Sequence, residues 1–143
     1  MRKVLVAFAL LLSGAVAADA SSLDYKARMT AYTIDGEKAG EVVTDCPNVK
    51  GLGLCQTSFE VTFEGEPWGL GIHLSELTPG VLTVKVVGDA RPADSWNWPS
   101  GKETVDKKPG ATVEIEARWT DSRISGDSEK QRVPVARFKI EIL

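Results

Sequence analysis

Residues 45–64 read DCPNVKGLGLCQTSFEVTFE and hold the chain's only two cysteines beside its cleanest alternating run. From Cys55 onward, Cys55, Thr57, Phe59, Val61 and Phe63 share one face, and Gln56, Ser58, Glu60, Thr62 and Glu64 share the other. Side chains of an extended chain point alternately to opposite faces, so this pattern specifies a strand with one buried and one wet face. The rest of the chain is expected to pack around the apolar face of that strand.

Upstream, Leu23, Tyr25, Ala27, Met29 and Ala31 alternate with polar partners and predict a first strand. Asp35-Gly36 then signals a tight turn. Residues 37–45 would return as a weak edge strand, with Glu37, Lys38 and Glu41 discouraging pairing with other chains. Downstream, Trp68, Leu70, Ile72 and Leu74 alternate with Gly69, Gly71, His73 and Ser75. Thr78-Pro79-Gly80 reads as a type II turn, and Leu82, Val84 and Val86 mark a returning strand.

Residues 88–110 are polar and read as a long excursion with a short strand near Thr104 and Val105. Val113, Ile115, Ala117 and Trp119 then alternate cleanly. The final run breaks parity: Val133 and Val135 are odd, whereas Phe138, Ile140 and Ile142 are even, which predicts a bulge near Ala136-Arg137. No apolar repeat at helical spacing follows residue 20. The expectation is an all-β domain, a single antiparallel β-sandwich of about seven or eight strands, immunoglobulin-like, with a small β-barrel as the alternative.

The N-terminus reads differently. Arg2 and Lys3 precede an apolar run at residues 4–12 and two small-residue cleavage sequences, so residues 1–20 are expected to be a signal peptide and residues 21–143 a single domain. Removing Arg2, Lys3 and Asp19 from 17 basic and 20 acidic residues leaves 15 and 19, a net charge of −4 (15 − 19). No long apolar segment follows, so no membrane insertion is expected, and scattered basic residues argue against nucleic acid as a partner. The expected location is periplasmic or secreted. In such a compartment Cys46 and Cys55 are expected to form a structural disulfide.

Candidate chemistry is sparse. His73 is the only histidine and lies on a wet strand face, as a solvated surface residue would. Glu114 and Glu116 share an outer face, where acidic residues are ordinary. Residues 121–129 carry three acidic residues around Gly126 without the calcium-loop spacing. No metal, no cofactor and no enzymatic activity are expected.

The distinctive feature is Trp96-Asn97-Trp98, paired aromatics in a polar setting. Trp96, Trp98, Arg91, Asp94 and Asn97 are the expected binding residues. The expected function is binding another protein, as an inhibitor, assembly factor or periplasmic chaperone. The alternative is a carbohydrate-binding module in which Trp96 and Trp98 stack on sugar rings. Trp68 and Trp119, in register with aliphatic residues, are expected to be buried.

Overall fold

The structure, a computed structural model, describes residues 23–47, 55–90, 98–121, 124, 126 and 132–143. Its described strands are β1 (Leu23–Thr33), β2 (Lys38–Pro47), β3 (Cys55–Phe63), β4 (Glu66–Thr78), β5 (Val81–Ala90), β6 (Ser100–Asp106), β7 (Thr112–Thr120) and β8 (Arg132–Ile142). All pairings are antiparallel, in the order β2-β1-β8-β7-β6-β5-β4-β3.

Every pairing joins neighbours in sequence except β8 with β1, which brings the first and last described strands together. This is a meander that curls nearly into a barrel. The all-β expectation holds in its small-barrel form. The immunoglobulin-like arrangement is corrected: the strands form one meandering sheet, with no fourth strand crossing back as a Greek key requires. Alternation alone cannot distinguish these forms, because both bury every second residue of each strand.

The wall is nevertheless uneven. Between β2 and β3 there is no ladder among the described residues; the Cys46–Cys55 disulfide joins them instead, with Cα atoms 5.1 Å apart and both cysteines buried. Between β6 and β7 the ladder reduces to one pair, Ser100 with Arg118. The two weak seams mark off two four-stranded halves of the one sheet, β2-β1-β8-β7 and β3-β4-β5-β6. The two seams are closed at opposite ends: the disulfide sits where β2 ends and β3 begins, and the Ser100–Arg118 pair sits where β6 begins and β7 is ending.

Side chains from both halves fill the interior, as they do in barrels of this strand number. Met29, Phe138, Ile140 and Ile142 from one half meet Leu70, Ile72, Leu74, Leu82 and Val84 from the other, all fully buried. Two aromatic contacts span the halves: Phe59 with Phe138, ring centroids 5.8 Å apart, and Trp68 with Trp119 at 5.2 Å. Trp68 and Trp119 are 3% and 9% exposed, as their register predicts. At the β2–β3 seam Gly40 makes room for Phe59, whose Cδ1 would lie 3.0 Å from a Cβ placed there.

Local chemistry explains the connections. Glu64 and Gly65 both have positive φ, 52° and 76°, the conformation that a two-residue hairpin of type I′ demands. The parity break in β8 is a bulge: Ala117 pairs with Ala136 but Arg118 pairs with Pro134, leaving Val135 as the extra residue. Val135 and Ala136 are consequently both buried. The bulge falls one residue before the position expected. The polar excursion is shorter than its composition suggests, because β5 runs to Ala90 and β6 is seven residues long.

Candidate functional site

The broken ladder between β6 and β7 leaves a cleft of about 510 Å³ on the barrel wall, a size within the range of ligand sites. Its walls come from Ser100, Gly101, Lys102 and Glu103 of β6, from Glu114, Ile115, Glu116 and Arg118 of β7, and from Arg132 and Arg137 of β8. Ile115 is buried at its base. Gly101 marks the corner where the half-sheets touch. A Cβ at Gly101 would lie 2.3 Å from the backbone carbonyl oxygen of Glu116, so only glycine permits this approach. Beyond that corner no further ladder pair joins β6 to β7 among the described residues. Glu103 is exposed although its parity matches that of the buried Val105.

Register determines which charges meet. Ser100 faces Val87 on one side and Arg118 on the other, and Arg118 faces Pro134. One carboxylate, Glu116, serves two arginines. Arg118 Nε donates to its Oε2 at 3.1 Å, and Arg137 Nε donates to its Oε1 at 3.4 Å. Arg132 Nη2 donates to the Ser100 hydroxyl at 3.1 Å, tying β8 to β6 across the seam. Arg118 Nη1 reaches the Arg132 carbonyl oxygen at 3.5 Å. These ion pairs are largely solvated and each is worth under about 1 kcal/mol to the fold. Two guanidinium groups thus hold one carboxylate, and Arg132, bonded to Ser100, meets no carboxylate among the described residues. Lys102, Glu103 and Glu114 complete the charged lining, so the cleft carries both signs.

Trp98 stands two residues before Ser100. It is 48% exposed, and its ring lies against Gly88, where an added Cβ would come within 2.4 Å of Cε3. Pro99, next in sequence, is fully buried and anchors this approach to β6. A half-exposed indole therefore stands two residues before Ser100, at the start of β6. Trp96, Asn97, Asp94 and Arg91 lie outside the described residues. Nothing in the sequence pattern marked the arginine cluster, since it depends on the β7–β8 register and the Val135 bulge.

The other candidates find ordinary settings. His73 lies on the outer face of β4, paired in register with Gln56 and Lys85. Glu114 and Glu116 share the cleft, but Glu116 is held by two arginines. Among the described residues no cluster of three His, Cys, Asp or Glu side chains is placed to hold a metal ion. No helix there is long and apolar enough to cross a membrane. At the barrel end away from Trp98, Glu76 accepts hydrogen bonds from Lys107 Nζ and from the Gly80 backbone N–H, 3.1 and 2.8 Å, linking two turns. The Lys107 bond, then the Gly80 bond, holds the Glu76 carboxyl below its ordinary range.

No family model, curated protein or solved structure matches this chain.

Proposed function

We propose that this chain is an exported, non-enzymatic binding protein whose partner is another protein, contacted at the corner formed by Trp98 and the arginine end of the β6–β7 cleft. The observation that carries the reading is a half-exposed tryptophan, seated on Gly88 and two residues before Ser100, the hydroxyl that Arg132 binds at the cleft. Tryptophan and arginine dominate the energetics of protein contacts, because each offers a large surface with few torsions to freeze. The disulfide fits an oxidising compartment and supports export.

The test is affinity capture from exported proteins with the mature chain and with its Trp98→Ala variant. A partner retained by the first and lost by the second is expected. A partner retained equally by both contradicts the placement, and capture of nothing across growth conditions contradicts the function. The exposed indole also suits stacking on a sugar ring. A shift of tryptophan emission with polysaccharides, absent in Trp98→Ala, would favour that use instead.

A further inference from the structure

We infer that the partner protein presents two carboxylate side chains, two residues apart in an extended segment, to the outer face of β6. One meets Arg132 at Ser100, and the other meets the lysine pair Lys85 and Lys102. This rests on the protein-partner reading and specifies what the partner presents.

The placement follows from register. Ser100 and Lys102 share the outer face of β6, and Arg132 Nη2 donates to the Ser100 hydroxyl. Lys85 of β5 stands directly opposite Lys102, with His73 of β4 beyond it in the same row. Like charges directly opposite one another in a sheet are unfavourable. Neither lysine forms an ion pair among the described residues, and Arg132 meets no carboxylate there. On β1 and β2 the outward cations do have partners: Lys26 with Asp45, Arg28 with Glu141 and Lys38 with Glu41. The opposed lysines of β5 and β6 depart from that pattern. Beside them, Val87 stands opposite Ser100 and is 37% exposed, an apolar contact next to the cations.

Spacing selects the occupant. Positions on one face of a strand recur every two residues, about 6.6–6.8 Å, which separates Ser100 from Lys102. An extended partner segment repeats its own side chains at the same interval, and a lone oxyanion does not span both cation groups. The cleft lining holds four cations and three carboxylates, an excess of one positive charge (4 − 3), in a chain of formal net charge −3. Glu116 is held by Arg118 and Arg137. Glu103 and Glu114 repel a polymer charged at every unit. Two discrete carboxylates gain the unmatched cations with fewer like-charge contacts.

The experiment uses the disulfide-intact mature chain and fluorescently labelled eight-residue peptides of threonine and valine. One peptide carries two glutamates two residues apart. Controls place the glutamates next to each other, or replace both with glutamine. A heparin-derived oligosaccharide serves as the polyanion. The spaced peptide should bind at least about tenfold more tightly than the glutamine peptide, and about threefold more tightly than the adjacent one. Arg132→Gln, and Lys85→Gln combined with Lys102→Gln, should each weaken it about fivefold. The double-lysine variant should melt no lower than the parent, since it removes an unfavourable pair. Lys26→Gln, on β1, should leave peptide binding unchanged.

Equal binding of the glutamine or adjacent peptide overturns the inference. So does tighter binding of the oligosaccharide, or no binding by any peptide. A double-lysine variant that melts lower than the parent also overturns it, because those side chains then serve the fold. A captured partner lost from Trp98→Ala but held by the double-lysine variant overturns the acidic pair and leaves the protein-partner reading standing. Selective binding of the spaced peptide with no captured partner upholds the acidic site and removes the protein-partner reading.

Discussion

The β2–β3 seam offers the sharpest stability test, because a covalent bond stands where a ladder would otherwise run. Replacing Cys46 and Cys55 together with serine, or reducing the bond, frees a closed loop whose ends are nine residues apart in sequence. The chain-entropy relation for a loop of that length gives about 2.5–3 kcal/mol. Spread over a typical urea dependence for a small domain, the midpoint should fall by about 1–3 M. The fold should survive, because Phe59–Phe138 and Trp68–Trp119 still couple the two half-sheets. Urea denaturation followed by tryptophan emission, with and without reductant, measures the loss. Amide exchange adds a local readout: the β2 and β3 edges should accelerate, whereas the β4–β5 ladder should hold. A loss below about 0.5 kcal/mol would show that something other than the disulfide closes that seam and refute the reasoning.

Gly101→Ala should cost about 1–3 kcal/mol, since a methyl group there meets the Glu116 carbonyl oxygen; a neutral result in denaturation would mean the strands do not cross that closely. Trp119→Ala should cost about 3–5 kcal/mol as a core truncation, and Trp98→Ala about 1 kcal/mol or less, both read from denaturation curves. Glu76 has a lowered folded pKa, so its contribution is present above the ordinary carboxylate value of 4.5 and fades as pH falls through the folded value. Acid titration of stability should therefore show a shallower loss in Glu76→Gln than in the parent; identical slopes would remove Glu76 from the account of the acid limb.

The strands were legible because burial on one face writes itself into period-two alternation. Val113, Ile115, Ala117 and Trp119 needed nothing more. Even the Val135 bulge left its trace as a change of parity. Strand β6 was hard to read, because in SGKETVD only Val105 is buried. Its positions of the same parity carry Gly101 at a backbone crossing and an exposed Glu103, so neither contributes an apolar signal. Closure of the barrel depends on β8 pairing with β1, the longest-range strand pairing among the described residues, and local pattern carries no record of it. The same holds for the arginine cluster: Arg118, Arg132 and Arg137 are scattered charges until register gathers them around Glu116 and Ser100. Of the three described tryptophans, Trp68 and Trp119 lie inside, as their register indicated, and Trp98 is half exposed; Trp96 lies outside the described residues.

Hydrogen–deuterium exchange of the chain, alone and with its captured partner, tests the recognition face most directly. In the free chain, amides along 101–106 and 112–117 that face the seam should exchange faster than those of the β4–β5 ladder. On binding, slowing should concentrate at 98–106 and 112–118, and it should vanish in Trp98→Ala. Protection confined to β1 and β2, or no change at the seam while the partner is bound, would contradict it.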